Sequence, residues 1–201
     1  MDGDTLSWYE TNAAHYIERT GSFEFFHGLE ADLMEFMNFL RSDSTVIDLG
    51  SGGGRDARRI VESGHSVIAV DASPALLRRC LVEADMSRRV LGVNADLLAL
   101  PFARGSAGGI WACGSMLHLR RHEIPAVVSR CFEILRPGAP IGLSMKEGRG
   151  SERRGDGRFF TYTSRPELNG WLLRAGFERI RITGPSRNDW LLAIAVKPER
   201  Y

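Results

Sequence analysis

The sequence has few cysteines, and none of them is paired with another at short range. Cys80, Cys113 and Cys131 are odd in number and widely spaced, and no Cys-x-x-Cys motif occurs in the 201 residues. Disulfide frameworks and structural zinc sites use cysteines at short, regular spacings. The sequence therefore indicates neither, and reduced thiols in a cytoplasmic protein are the simplest interpretation.

The chain also lacks an excess of one charge and any long apolar run. Its 26 Lys and Arg residues nearly balance 25 Asp and Glu residues, which weakens the case for a nucleic-acid-binding surface without excluding it. No apolar run reaches the roughly 18 residues that span a bilayer, and the N-terminus is acidic. We therefore expect a cytoplasmic protein with neither signal peptide nor membrane anchor, and the length suits one domain.

The most distinctive segment of the sequence is a glycine-rich stretch at residues 46–57. A short apolar run that contains Asp48 breaks into four glycines within positions 50–54. Glycine tolerates positive φ and has no Cβ, so such a turn lets the backbone come close to a ligand. Asp48, two residues before the first glycine, can accept hydrogen bonds. The stretch predicts a strand, a tight turn and a helix start beside a nucleoside-type cofactor.

Predicted strands and helices alternate after this turn, which is typical of a parallel sheet. The last two strands have a short connection, so we expect them to be antiparallel neighbours. Residues 1–42 have helix-like apolar spacing over 5–20 and 23–40 and should form a helical cap on a core at 43–201. The predicted strands are 66–70, 90–94, 109–113, 140–144, 177–183 and 189–197, and the predicted helices are 56–63, 74–86, 125–135 and 165–175.

Two cofactor classes use a glycine turn after the first strand and an acid after the second. The dinucleotide fingerprint Gly-x-Gly-x-x-Gly/Ala, counted from Gly50, requires a small residue where this chain has Arg55. Counted from Gly52 it fits and ends at Ala57, but it then begins late after the strand and leaves Asp48 unexplained. No phosphate-binding Gly-x-x-x-x-Gly-Lys-Ser/Thr run occurs.

Four motifs follow one another along the chain, at residues 46–54, 69–73, 94–97 and 135–138. In this order and spacing they resemble the motifs of class I S-adenosylmethionine-dependent methyltransferases, and the resemblance covers nearly the whole chain. The resemblance implies a Rossmann-like, doubly wound, seven-stranded and mostly parallel sheet with an antiparallel C-terminal hairpin and an N-terminal helical cap. More narrowly, residues 54–56, 109–113, 117–118, 146–148 and 157–160 are similar to a group of small bacterial methyltransferases.

The resemblance also implies a cofactor, S-adenosylmethionine, with S-adenosylhomocysteine as product and no metal. Gly50, Gly52 and Gly54 would pass beneath the methionine part, and Asp48 would order the loop or accept from the ammonium. Asp71 would accept both ribose hydroxyls. Asp96 with the Leu97 amide would hold the adenine, and Cys113 would contribute its carbonyl. The implied cofactor residues are Tyr16, Arg19, Asp48, Gly50, Ser51, Gly52, Gly54, Arg55, Asp56, Asp71, Ala72, Ser73, Asp96, Leu97 and Cys113.

Each of the three aspartates has an alternative role as a solvated loop or cap carboxylate. All three, however, lie at the carboxyl ends of predicted parallel strands, where open α/β sheets bind ligands. The N-terminal aromatic residues are typical of a core-facing stripe. Tyr9, Tyr16 and Arg19 are better candidates for ligand contact, because each combines a stem that packs with a polar tip.

His118 follows the fourth strand, where this fold meets its acceptor, and imidazole titrates in a useful range. It is a candidate base or orienting group, and the alternative is a helix-start histidine with only local hydrogen bonds. Several cations near one pocket would favour a carboxylate or phosphate on the acceptor. The predicted substrate-binding residues are Tyr9, His118, Lys146, Arg158, Tyr162, Arg187 and Trp190.

Residues 147–158 are rich in Gly and Arg, a composition that predicts a mobile loop. One hypothesis is a lid that orders over the acceptor. The alternative is that Arg149, Arg153 and Arg154 are solvated loop charges.

These patterns predict methyl transfer to a small molecule, by a monomer or homodimer. Three other functions remain open. The first is methylation of RNA or protein, against which the near-zero net charge counts. The second is a cofactor-binding regulatory module without catalysis, because fold and function are separable. The third is a nicotinamide oxidoreductase, which the cofactor bound on purification would decide.

Overall fold

The fold comes from a computed structural model, which describes residues 2–26, 28–83, 89–186 and 189–199. Its helices are α1 (Gly3–Thr11), α2 (Ala13–Thr20), α3 (Leu29–Met37), α4 (Arg55–Glu62), α5 (Pro74–Glu83), α6 (Ile124–Ile134) and α7 (Arg165–Ala175). Its strands are β1 (Thr45–Leu49), β2 (Ser66–Asp71), β3 (Val90–Asn94), β4 (Gly109–Cys113), β5 (Pro140–Lys146), β6 (Ser151–Arg153), β7 (Phe159–Thr161), β8 (Glu178–Ser186) and β9 (Trp190–Val196). Short 3₁₀ helices cover Phe23–Phe25, Leu97–Ala99 and Met116–His118.

Seven of these strands form one sheet in the order β3-β2-β1-β4-β5-β9-β8. Strands β1 to β5 pair in parallel, and β9 runs antiparallel to both β5 and β8. This confirms the predicted mostly parallel sheet with an antiparallel C-terminal hairpin. The parallel arrangement brings the carboxyl ends of β1, β2 and β4 to one edge, where the glycine turn also lies.

Helices cover both faces of the sheet, and each face has its own apolar cluster. Leu33 and Phe36 of α3 pack with Ala57 and Ile60 of α4 against one face. The other face packs against α6 and α7. The central strands are almost fully buried, as expected for parallel strands covered on both sides.

The N-terminal segment is helical but more broken than its apolar spacing predicts. The first predicted helix divides at Asn12, whose φ and ψ of −107° and 15° leave the helical region. Its side chain donates to the carbonyl of Trp8 at 2.8 Å, which satisfies an acceptor at the end of α1. In the second predicted helix, residues 23–25 form a 3₁₀ turn, and α3 begins only at Leu29.

The Arg-rich segment, for which the composition predicted a mobile loop over residues 147–158, contains strand β6 and forms a hairpin with β7. Strands β6 and β7 pair antiparallel, and the hairpin is tied to α1 by side-chain contacts. Arg153 pairs with Asp2 at 2.8 Å and with Asp4 at 3.1 Å, and the Phe159 amide donates to Thr5 Oγ1 at 2.9 Å. These partners lie about 150 positions away in sequence, so local composition did not reveal them.

The remaining boundaries differ little from those predicted. Helix α7 has the predicted limits and ends at Gly176, which has φ of +101°. Strand β8 continues to Ser186, beyond the predicted limit, with register irregularities after Glu178 and Thr183. Helix α5 is described as far as Glu83, so its predicted last residues lie outside the described part. No helix within the described residues is long and apolar enough to cross a membrane.

Candidate active site

The glycine turn after β1 is held in a conformation that only small residues tolerate. Gly50 has φ of +76°, and a Cβ at this position would lie 2.3 Å from the Cβ of Ser115. The turn therefore packs directly on the segment that follows β4. This close approach closes the floor of a cleft between the ends of β1, β2 and β4.

Asp71 ties this turn to the end of β2. Its Oδ2 accepts from the Gly52 amide at 2.9 Å, and its Oδ1 accepts from the Ser73 amide at 2.8 Å. The side chain is buried, and burial raises the pKa of its carboxyl group. A carboxylate has about four lone-pair sites, so each oxygen keeps acceptor capacity for a ligand.

Asp48, in β1, is a second buried carboxylate, which lies two residues before the glycine turn and not on the wall of the cleft. Its Oδ2 has no hydrogen-bond partner among the described residues, and the same holds for Oγ of Ser51 and Oγ of Ser115. Burial, followed by the charge of Asp56, raises the pKa of Asp48 well above its usual range. Buried polar atoms normally have partners, so three unsatisfied oxygens beside one turn mark a place where a polar ligand fits.

The cofactor cleft is narrow, with a free volume of about 40 Å³. The predicted residues on its wall are Tyr16, Gly50, Gly52, Asp71, Ala72, Leu97 and Cys113. The sequence analysis assigned no cofactor role to Val70, Leu76, Ala95, Gly114, Ser115, Tyr9 and His118, which also line it. The rule that ligands bind after parallel strands could have found Gly114 and Ser115, which directly follow β4.

Other predicted cofactor residues lie in or beside the turns that shape the cleft. Ser51 is buried and Gly54 is the N-cap position of α4. Asp96 caps the 3₁₀ turn at Leu97–Ala99 by accepting from the Leu98 amide at 2.9 Å. None of these three residues is on the wall of the described cleft.

Ser73 contacts a residue that the sequence analysis missed. Its hydroxyl donates to Glu10 Oε1 at 2.6 Å, and the Ala75 amide donates to the same oxygen at 3.0 Å. Glu10 thus joins α1 to the start of α5, where a carboxylate is favoured by the helix dipole. No local sequence signal identifies this contact.

Arg55 and Asp56, which were both predicted to bind the cofactor, pair with each other in the structure. Arg55 Nε lies 2.7 Å from Asp56 Oδ1, and the indole of Trp111 donates to Asp56 Oδ2 at 2.8 Å. Asp56 is buried beneath the turn, while Arg55 lines a neighbouring cavity. Arg19 is exposed and lines an outer groove rather than the cleft.

His118 and Tyr9 form a buried pair at the inner end of the cleft. His118 Nδ1 lies 2.8 Å from the carbonyl oxygen of Phe159. A carbonyl only accepts, so Nδ1 carries the proton and donates. Burial lowers the pKa of His118 to about 4, so the ring is neutral at pH 7 and Nε2 is an acceptor. The Tyr9 hydroxyl therefore donates to Nε2, at 2.9 Å.

A larger cavity of about 360 Å³ adjoins the cleft. The predicted substrate residues Tyr9, His118, Lys146, Arg158 and Trp190 line it. Its other lining residues are Tyr16, Thr20, Phe25, Phe26, Leu29, Asp32, Arg55, Cys113, Gly114, Leu117, Ser144, Arg154, Phe160, Leu191 and Leu192.

Two predicted substrate residues are not on this wall. Tyr162 turns away and its hydroxyl donates to Glu152 at 2.5 Å, so its predicted substrate contact is not supported by this geometry. Arg187 lies outside the described residues. Phe25 and Phe26 line the cavity although their apolar spacing is typical of a core-facing stripe, so neither was predicted as a substrate residue.

The charged side chains on the cavity wall are mostly cationic. Their acidic partners lie off the wall: Arg55 pairs with Asp56, Arg154 with Glu152 at 3.3 Å, and Arg158 with Asp156 at 2.7 Å. Lys146 is the fourth cationic residue of the wall, and Asp32 is the acidic residue among the described residues that line it. Within the described part of the chain, no three His, Cys, Asp or Glu residues are grouped so that they could hold a metal ion.

The seven-stranded sheet has the fold of solved S-adenosylmethionine-dependent methyltransferases. Residues 46–138 match the sequence model of a family described as a methyltransferase domain. A crystal structure of the 1,6-didemethyltoxoflavin-N1-methyltransferase of Burkholderia thailandensis, with bound S-adenosylhomocysteine, superposes with a TM-score of 0.75. It is 22% identical, and the match covers 97% of this chain and 86% of that one.

Two curated relatives are similar to about half of this chain. A carboxy-S-adenosyl-L-methionine synthase of Erwinia tasmaniensis is 32% identical over 54% of this chain and 46% of its own length. An uncharacterized methyltransferase of Synechocystis is 28% identical over 49% of this chain and 45% of its own. The chain thus spans about half the length of the curated relatives it matches. The sequence of residues 46–138 and the fold are thus both similar to those of methyltransferases.

Proposed function

We propose that the protein transfers the methyl group of S-adenosylmethionine to a small-molecule acceptor that carries an anionic group. One observation carries the proposal: the cofactor cleft and the larger cavity share Tyr9, Tyr16, Cys113, Gly114 and His118 on their walls. A methyl donor in one space and an acceptor in the other would meet at these five residues. Methyl transfer depends mainly on holding the two reactants in line at such a junction.

The cleft and the turn beside it carry polar groups that suit this cofactor. Asp48, buried beside the turn, would offer its unsatisfied Oδ2 to an ammonium group, and Ser115, on the cleft wall, would offer its hydroxyl. Asp71 would accept the ribose hydroxyls with lone pairs that its two backbone contacts leave over. Leu97, on the wall of the cleft, would contact the adenine. The bound cofactor would supply a methyl group that its sulfonium already activates.

Tyr9 and His118 would receive the proton that the acceptor loses on methylation. Tyr9 lines both spaces, and its hydroxyl already donates to the free lone pair of His118 Nε2. An acceptor O–H or N–H at the junction could pass its proton to Tyr9 while Tyr9 passes its own to His118. His118 is neutral at pH 7 and so is able to receive a proton.

The size and charge of the larger cavity support a small anionic acceptor. Its volume of about 360 Å³ is at the lower end of the roughly 300–1,000 Å³ typical of small-molecule pockets. Four cations line it, while the acidic partners of three arginines lie off the wall. RNA or protein methylation has less support, because α1, the 3₁₀ turn at Phe23–Phe25 and the β6–β7 hairpin surround the junction.

Calorimetric titration with S-adenosylmethionine, S-adenosylhomocysteine and NADP tests the cofactor. We expect micromolar binding of the first two and none of NADP, and binding of NADP alone would refute the proposal. Carboxy-S-adenosylmethionine belongs in the same series, since tighter binding of this compound would favour carboxymethyl chemistry. If the cofactor binds but a broad acceptor screen gives no labelled product, a regulatory module would be favoured instead.

The role of Asp71 is tested by Asp71→Asn, with Asp4→Asn at an exposed position as the matched control. Losing one charge-assisted acceptor costs about 1.5–3 kcal/mol, so S-adenosylhomocysteine should bind about 10 to 100 times more weakly. The control should bind like the wild type. Equal affinities for all three proteins would remove the ribose assignment.

A further inference from the structure

Three cations of the acceptor cavity lie against aromatic rings. Lys146 Nζ is 5.3 Å from the centre of the Trp190 ring, and the guanidinium of Arg154 is 4.1 Å from that of Phe160. The guanidinium of Arg158 is 3.9 Å from the Trp8 ring. Cations within about 6 Å of a ring face are attracted by its quadrupole. Positively charged groups and the faces of aromatic rings therefore lie next to one another around the cavity.

Further rings approach the same space from the N-terminal segment. Tyr16, Phe25 and Phe26 of this segment line the cavity together with Lys146 of β5 and Trp190 of β9. Phe25 is 60% exposed and lines both this cavity and the outer groove. A flat apolar molecule in the cavity would cover Phe25 and stack on the rings around it.

We propose that the acceptor is a one- or two-ring aromatic or heteroaromatic carboxylate. This inference rests on the proposed function. The ring would lie between the N-terminal aromatic residues and Trp190, and the carboxylate would face Lys146 and Arg154. The methylated oxygen or nitrogen would lie at the junction beside Tyr9. A long aliphatic chain would not use the flat faces, and a neutral ring would not use the cations.

A carboxylate ligand would stabilise the positive charges of Arg154 and Lys146. Burial and the nearby charge of Arg154 lower the pKa of Lys146. A carboxylate between the two cations would relieve their repulsion and replace water lost on burial. Because Arg55, Arg154 and Arg158 already have acidic partners, much of the positive charge on the wall is compensated, which favours a carboxylate over a dianionic phosphate.

The test is titration of a matched panel into the protein with and without S-adenosylhomocysteine. The panel holds hydroxy- and aminobenzoates, the corresponding cyclohexanecarboxylates, the benzamides and phenyl phosphate. We expect the benzoates to bind at least tenfold more tightly than the aliphatic acids and the neutral amides. Equal binding of benzoates and cyclohexanecarboxylates, preference for phenyl phosphate, or no binding within the panel would overturn the proposal.

Two variants separate the ring from the charge. Lys146→Met should weaken benzoate binding at least fivefold and leave benzamide binding unchanged, whereas Trp190→Leu should remove the preference for benzoate over cyclohexanecarboxylate. Arg149→Met, at an exposed position off the wall, is the control and should change neither. Benzoate preference that persists without any binding of S-adenosylhomocysteine would refute the proposed function, and the cavity would then be a binding site for aromatic carboxylates and not an acceptor site.

Discussion

Protonation of His118 should destabilise the folded protein in a defined pH window. The side chain is 4% exposed, and burial lowers its pKa from 6.5 to about 4. Between these two values the unfolded chain binds the proton and the folded chain does not, so stability falls as the pH falls from about 6.5 to about 4. The pKa shift corresponds to about 3 kcal/mol in total, of which about 2 kcal/mol is lost between pH 7 and pH 5.

Urea unfolding of wild type and His118→Asn at pH 7 and pH 5 isolates this effect. The asparagine keeps a donor for the Phe159 carbonyl but cannot be protonated. The free energy of unfolding should therefore fall by about 2 kcal/mol more in the wild type than in the variant. His122→Asn, at an exposed position, should retain the wild-type loss. Parallel losses in wild type and His118→Asn would refute the assignment of a buried, neutral imidazole.

Other substitutions test the turn and its support. Gly50→Ala should lower the free energy of unfolding in urea by about 1–3 kcal/mol more than Gly150→Ala. Both glycines have positive φ, but only a Cβ at position 50 would lie against Ser115. Equal losses of stability in the two variants would exclude this close contact. Trp111→Phe should cost about 2–4 kcal/mol, since it removes the donor to Asp56 and leaves a void, and a cost below 1 kcal/mol would argue against a buried hydrogen bond.

The sequence by itself determined the parallel sheet, the glycine turn and the position of Asp71 at a strand end. These features depend on local patterns, because apolar periodicity, glycine content and capping residues act within a few positions. The limits of α7 are an example, since Ser164 and Gly176 cap it from within the same segment. The places of the motifs in the fold could also be predicted, because the alternation of strands and helices along the sequence defines the elements beside which they lie.

Tertiary structure decided what the motifs contact. His118 and Tyr9 are 109 positions apart and meet only because β4 ends beneath α1. Arg55 follows the glycine motif and pairs with Asp56, which also accepts from the indole of Trp111, 55 positions away in β4. Arg55 lines the larger cavity with Lys146 and Trp190, which are far from it in sequence. The Arg-rich segment was expected to be mobile because its composition resembles a solvated loop. Its order depends on contacts with α1, and such long-range partners leave no periodic signal in the sequence.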